Sequence, residues 1–198
     1  MDTAQALAFL LFAFIAAVTP GPSNTMILST GAAVGTLRGL ACPIGASLGM
    51  GSMIVLSAFG VGEIVAAAPV IVVAMKIAGS LFLLWLAWRI VNAGTLEDGT
   101  QARATGFVNA FLFQWLNPKG WLVALSAGST YFTPTLQGEF HAALQMGVLF
   151  AAAALPAGMI WLGMGALIAR FLSNQDSAKI FNIAMASLLA ASVILVWR

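Results

Sequence analysis

Lys119 is the charged residue of this chain whose position best suits it to bind a ligand. It follows Asn117 and Pro118 inside an apolar run, and this pair predicts a helix start, because the asparagine amide can cap free N–H groups and proline fits the first helical position. A lysine in the first turn opposes the helix dipole at a cost of roughly 0.3–1 kcal/mol, so helix stability does not explain it. A fixed positive charge beside free N–H groups would instead bind a carboxylate. The alternative is that the side chain extends along apolar surface until its amine reaches water.

A second break lies about half a chain length earlier, where Thr19-Pro20-Gly21-Pro22-Ser23-Asn24 interrupts the first apolar run. Each interior proline removes a backbone N–H and crowds the carbonyl four residues back. Gly21, Ser23 and Asn24 could contact a solute through an N–H, a hydroxyl and an amide. Thr19 is a candidate cap for the helix that follows. The alternative interpretation is a simple proline kink.

Two further residues complete the predicted site. Gln114 falls on the same broad side of its helix as Asn109 and Asn117, at about 100° per residue, although Asn109 is better explained as a hydrogen-bonding contact between helices. Lys76 lies within the third apolar run, close enough to its end for the amine to reach the membrane surface instead. The predicted substrate-binding residues are Pro20, Gly21, Pro22, Ser23, Asn24, Lys76, Gln114, Asn117, Pro118 and Lys119.

Composition identifies the elements that must position these residues. The chain has 198 residues, of which 61% are hydrophobic and 7% charged, with a mean hydropathy of +1.00, whereas soluble domains have about a quarter of their residues charged. It is therefore predicted to be an all-α, polytopic membrane protein. A net charge of +2 with scattered basic residues gives no support for nucleic-acid binding. No catalytic group, metal-ligand cluster or cofactor motif is present, and the single cysteine, Cys42, rules out an internal disulfide.

Six apolar segments are long enough to be transmembrane helices, and helices 1 and 4 are the broken ones. The first segment would be about 45 Å long if straight, against a hydrocarbon core of about 30 Å, so it must tilt, break or re-enter. The predicted segments are Ala4–Val34, Leu40–Val61, Pro69–Val91, Phe107–Phe132, Ala142–Ala169 and Ile180–Trp197.

A polar linker over residues 92–106 divides this single transmembrane domain into half-repeats of about 1–91 and 107–198. Three helices per half is an odd number, so the second half would enter the membrane from the opposite side and form an inverted repeat. Breaks at matching places in two such halves predict a solute site between them, reached by alternating access. Two other classes stay open: a membrane enzyme acting on a lipid phosphate, and a passive small-solute channel.

Glycines recur at four-residue spacing in the first two helices, which favours close backbone contact between helices. They also make a homodimer a reasonable expectation. These positions are Gly31, Gly35, Gly39, Gly45 and Gly49.

Taken together, the chain resembles the LysE/RhtB family of amino-acid exporters over its whole length. The resemblance rests on Thr19-Pro20-Gly21-Pro22, the glycines of the second helix, Lys76 with Gly79, and Asn117-Pro118-Lys119-Gly120, in that order. It implies export of an amino acid across the bacterial inner membrane, in contact with lipid and driven by the proton motive force. Many relatives have an acidic residue where this chain has Met50. Because no acid in the apolar segments pairs with Lys76 or Lys119, we expect a neutral amino acid held by its carboxylate instead of lysine or arginine.

Overall fold

A computed structural model of the chain describes residues 1–60, 67–92, 104–132, 138–171 and 175–197. Within these ranges the regular secondary structure is entirely helical, in agreement with the predicted all-α class. The helices are α1 Thr3–Val18, α2 Pro22–Gly39, α3 Ala41–Ala58, α4 Pro69–Val91, α5 Phe107–Leu116, α6 Pro118–Tyr131, α7 Glu139–Phe171 and α8 Gln175–Val196.

The chain is a multi-pass helical membrane protein. By length and composition, α3 and residues Glu139–Ala169 of α7 can each cross a bilayer, and α1 with α2 qualifies as one broken span bent by 65°. The apolar parts of α4, α5 and α8 are shorter than a full span within the described residues. Most of the predicted linker, residues 93–103, lies outside those residues.

Both predicted helix breaks are present at the expected residues. The first separates α1 from α2 at Thr19–Gly21, and the second separates α5 from α6 at the single residue Asn117. The proline after each break occupies the first position of the new helix, where its missing N–H has no intrahelical partner to lose.

Glycines allow α7 to lie directly against α2 and α3. A Cβ added at Gly165 would collide with the carbonyl oxygen of Leu28 in α2, and one at Gly31 would collide with that of Leu162 in α7. Between α3 and α7, a Cβ at Gly51 would lie 2.8 Å from the Gly147 oxygen. Because real Cβ atoms do not come this close to backbone, these crossings require glycine.

The predicted close packing is confirmed at four of the five spaced glycines and is wrong at the fifth. Gly31, Gly39, Gly45 and Gly49 all touch neighbouring helices, whereas Gly35 has open space around it and a φ of 77°, which kinks α2. Gly35 is therefore used for its left-handed backbone conformation. Because the four packed glycines contact helices of their own chain, they are not available as a dimer surface. The homodimer stays a prediction.

Two apolar clusters form the core, and α3 and α7 contribute to both. One contains Met26, Leu83 and Phe113, and the other contains Phe9 and Phe150. The central position of α3 and α7 places the two broken helix pairs around them. Cys42 of α3 lies in the first cluster with no exposed surface.

Candidate functional site

The first break is closed on its α1 side by hydrogen bonds from side chains. The amide nitrogen of Asn24 lies 3.1 Å from the oxygen of Ala17, 3.4 Å from that of Val18 and 2.7 Å from that of Thr19. The indole nitrogen of Trp161 also donates to Val18, at 3.1 Å. Asn24 is buried, so its amide satisfies carbonyls that the break would otherwise leave without donors.

The start of α2 differs from the predicted arrangement. Gly21, in extended conformation, occupies the N-cap position, and no side chain in the described part of the protein caps the first turn. Thr19 instead donates its hydroxyl hydrogen back to the Ile15 oxygen at 2.6 Å. The prediction that Thr19 caps α2 is wrong, because its side chain completes the last turn of α1.

The second break has the predicted cap. The Asn117 side chain accepts a hydrogen bond from the backbone N–H of Lys119 at 3.2 Å, with Pro118 at the first helical position. Trp121 donates its indole N–H to the oxygen of Trp115 at 2.9 Å, which satisfies a carbonyl near the end of α5. Asn117 is 3% exposed, so this helix start is enclosed within the protein.

Lys119 joins the two breaks. Its amine donates to the Thr19 oxygen at 2.7 Å and lies 3.4 Å from the Pro20 oxygen. Gly21 provides room for this side chain, since a Cβ there would lie 3.2 Å from both the Cδ and the Nζ of Lys119. The amine is thus held by neutral carbonyl oxygens, and within the described ranges no acidic side chain pairs with it.

Gln114 makes a second link between the broken helix pairs. Its amide nitrogen donates to the Ser23 hydroxyl at 2.5 Å and lies 3.4 Å from the Ala110 oxygen. Gly49 of α3 makes this position available, because a Cβ there would lie 2.9 Å from the Gln114 Cγ. The site is therefore built from three elements: the start of α2, the α5–α6 break and the glycine face of α3.

A cavity of about 60 Å³ lies beside these links. Its polar lining consists of Ser23, Ser47, Gln114, Asn117 and Lys119. The rest of its wall is apolar or lacks a polar side chain: Ala16, Ala17, Ile27, Ala46, Met50, Gly120, Val123, Phe150 and Ala154.

Four of the predicted residues therefore meet at this cavity: Ser23, Gln114, Asn117 and Lys119. Pro20 and Gly21 line a separate, more open hollow of about 460 Å³ beside Trp161 and α8. Pro22, Asn24 and Pro118 line neither hollow; they shape the two breaks.

Lys76 and Asn109 lie away from the cavity. The Lys76 amine is 5.8 Å from the centre of the Trp197 ring, which is a cation–π distance, at the contact between α4 and α8. The side chain of Asn109 is exposed and makes no hydrogen bond to another helix within the described ranges, unlike the expected contact.

Sequence reasoning missed Ser47 and Met50 as lining residues. Both lie in α3, which packs against α5 and α6 and so closes the cavity. The available signal was a polar residue, Ser47, in an otherwise apolar helix, between Gly45 and Gly49 in sequence.

The arrangement suits a solute that has a carboxylate and no net positive charge. Among the residues that the structure describes, Lys119 is the one cation that lines the cavity, together with neutral hydrogen-bonding groups, and no acidic side chain lines it. Partial exclusion of water strengthens the attraction between an amine and a carboxylate. A cationic solute would meet like charge without compensation.

Comparison with known proteins gives one consistent result. The family model for the LysE type translocator matches residues 14–196. The cysteine/O-acetylserine efflux proteins of Escherichia coli strain K12 and of Shigella flexneri are each 31% identical to this chain over 182 residues, 92% of both chains. The protein of the same name from Escherichia coli O1:K1 / APEC is 30% identical over the same length. No solved structure matches the chain significantly.

The family match covers almost the whole chain, including both breaks and every described residue that lines the cavity. It confirms the family resemblance and decides against the alternative of a lipid-phosphate enzyme. The chain belongs to the LysE type translocator family and is a membrane transporter, not an enzyme.

Proposed function

We propose that this protein is a secondary active exporter of a neutral amino acid across the bacterial inner membrane. The observation that carries the proposal is the Lys119 amine, which lines the cavity, reaches the other helix break and has no acidic partner in the described part of the chain. Intramembrane charges are costly and usually mark a functional cavity. A substrate carboxylate would supply the missing negative charge.

The substrate is a small amino acid in this proposal. The relatives are named for cysteine and O-acetylserine efflux, and both compounds are small and have no cationic side chain. The apolar part of the cavity wall, around Ile27, Val123 and Phe150, would contact such a side chain. No acid is among the described residues of the lining, which disfavours lysine and arginine as substrates.

Binding requires the cavity to expand. The cavity volume of 60 Å³ accommodates roughly four water molecules, because each needs about 15 Å³ of cavity volume. An amino acid needs more room than this. The Lys119 link and the Gln114–Ser23 link both hold the first break against the second. Breaking and remaking these links would open and close the site during alternating access, with the proton motive force as the driving gradient.

Contacts between helices support two inverted repeats of three spans each. Exchanging the halves maps α1 onto α5, α2 onto α6, α3 onto α7 and α4 onto α8. Under this exchange the contact between α1 and α7 becomes the contact between α5 and α3. The contact between α2 and α7 becomes the contact between α6 and α3. The contacts α3–α7 and α4–α8 each map onto themselves. All six contacts occur.

The sequence spacing agrees with this exchange. Pro22 and Pro118, which begin equivalent helices, are 96 positions apart, and so are Gly51 and Gly147. Those two glycines touch each other: a Cβ at Gly147 would lie 2.7 Å from the Gly51 oxygen. Equivalent residues can meet in this way only on the symmetry axis, so we place the pseudo-two-fold axis through this crossing.

The proposal is tested by counterflow in proteoliposomes with labelled cysteine, O-acetylserine, serine, alanine, leucine and lysine. We expect exchange of small neutral amino acids, saturating with concentration, and little exchange of lysine. Lys119→Met should reduce exchange roughly 10- to 100-fold, since hydrogen bonds to charged groups contribute about 1.5–3 kcal/mol.

Lys179→Met is the matched control, because Lys179 is an exposed lysine at the start of α8. It should transport like the unsubstituted protein. Full transport by a folded Lys119→Met variant would remove Lys119 from the mechanism. Flux that rises linearly with concentration would indicate a channel.

A further inference from the structure

We propose that Gln114 and Ser47 bind the ammonium group of the transported amino acid. This inference rests on the proposed function and adds a second subsite to it. Lys119 would hold the carboxylate at one side of the cavity, while two neutral oxygen atoms hold the amine. The transporter would then select α-amino acids over carboxylic acids of the same shape that lack the amine.

The hydrogen bonds of Gln114 determine which end of its amide is free. The amide atom near Ser23 also lies 3.4 Å from the Ala110 oxygen, and a backbone oxygen can only accept, so this atom must be the nitrogen. The carbonyl oxygen of Gln114 accepts no hydrogen bond from the described residues. Gln114 is only 2% exposed, and it lines the cavity.

The buried hydroxyl of Ser47 has no hydrogen-bond partner among the residues that the structure describes. It is 5% exposed and lines the same cavity, and none of the hydrogen bonds among the described residues involves it. Serine hydroxyls in apolar helices often bond to the carbonyl four residues back, as Ser192 does with Leu188 at 2.8 Å. Ser47 does not, so its oxygen stays available to a ligand.

Neither oxygen is fully enclosed. Among the described side chains, the indole nitrogen of Trp115 is the only polar atom that is fully buried and has no hydrogen-bond partner. The free oxygen atoms of Gln114 and Ser47 therefore retain open surface, and both side chains line the same cavity. Buried acceptors left without a donor are costly, so an ammonium donor would be favoured there.

Neutral acceptors have an advantage when no substrate is bound, because the empty cavity then contains no unpaired anion. A carboxylate in this position would attract an ammonium more strongly, but it would be left buried and unpaired between transport cycles. Met50, which lines the same wall, carries no charge. The site thus offers one charged contact to the carboxylate and uncharged contacts to the amine.

The experiment measures how well each amino acid and its deaminated acid compete in counterflow. The pairs are cysteine with 3-mercaptopropionate, alanine with propionate and leucine with 4-methylpentanoate, in proteoliposomes under reducing conditions. The unsubstituted protein should prefer the amino acid of each pair that it transports. Gln114→Met should reduce that preference roughly tenfold or more, and Ser47→Ala should reduce it in the same direction.

The variant Gln114→Glu distinguishes a role of Gln114 in binding the ammonium group from a purely structural role. Glutamate keeps an acceptor oxygen and the side-chain length, so this variant should retain or increase the preference for the amine, whereas Gln114→Met loses it. A purely structural role would make the two variants behave alike. Gln145→Leu, on the exposed face of α7, and Ser52→Ala, whose hydroxyl bonds within α3, are controls that should leave the preference unchanged.

The outcomes separate the two proposals. If the unsubstituted protein exchanges none of these amino acids, the proposed function fails and the ammonium subsite fails with it. If it exchanges them but the folded Gln114→Met and Ser47→Ala variants keep the full preference for the amine, only the ammonium subsite is overturned.

Discussion

Replacing Gly165 by alanine tests whether the contact between α2 and α7 depends on missing side chains. The new Cβ would collide with the Leu28 oxygen and would lie 2.8 Å from the Leu28 carbonyl carbon and 2.9 Å from the Ala32 nitrogen. All three atoms belong to the backbone of α2, so no side chain can rotate out of the way. Ordinary contact begins near 3.4 Å, so the helices must move apart by more than half an ångström.

The magnitude follows from the cost of overpacking. Forcing one extra methyl group into a packed interior costs about 1–3 kcal/mol. For a chain of this size, 1 kcal/mol corresponds to a change of about 2–4 °C in Tm, so Gly165→Ala should lower Tm by roughly 2–12 °C. The reciprocal contact at Gly31 would loosen at the same time and increase the loss.

Gly163 provides a control on the same helix. A Cβ at Gly163 would meet no described atom within 4 Å, and alanine is the better helix former by up to about 1 kcal/mol. Gly163→Ala should therefore leave Tm unchanged or raise it by a few degrees. Thermal unfolding of both purified variants in detergent is the assay. Equal Tm values for Gly165→Ala and the unsubstituted protein, or an equal loss in Gly163→Ala, would refute the reasoning.

Three other predictions concern the breaks and the core. Asn24→Ala should lower stability by roughly 1–3 kcal/mol, because the oxygen of Ala17 would lose its side-chain donor; thermal unfolding with a normal Tm would contradict this. Asn117→Ala removes a helix cap worth about 1 kcal/mol and should reduce both Tm and amino-acid exchange, whereas the exposed Asn109→Ala should change neither. Cys42 should resist maleimide labelling in the folded protein and react after denaturation, and rapid labelling of the native protein would show that its cluster opens.

The helices and both breaks were predictable because they depend on local chemistry. Long apolar runs determine helices in a membrane, since every backbone group must be satisfied within the segment. Pro22 and Pro118 determine where new helices begin, because proline cannot continue the preceding hydrogen-bond pattern but fits the first turn. Asn117 follows the same local rule, and its cap was predicted correctly.

The partners of each side chain depended on tertiary structure. Asn24 and Ser23 are adjacent in sequence, yet one closes α1 and the other contacts Gln114 across the cavity. Lys76 and Lys119 are both lysines in apolar surroundings, and only the packing of α8 against α4 brings Trp197 to the first of them. No local rule predicts these different contacts, because each depends on which helix from another part of the chain packs against the residue.

Sequence alone therefore determined the membrane class, the helical elements, the two breaks and the family resemblance, since all of these follow from residue type and spacing along one segment. Only the fold decided that Lys119 reaches Thr19, that Ser47 completes the cavity and that Gly35 bends its helix instead of packing. The physical reason is that residues distant in sequence come into contact only where two helices pack together. The distance between two packed helices is set by the backbone atoms that touch at their crossing.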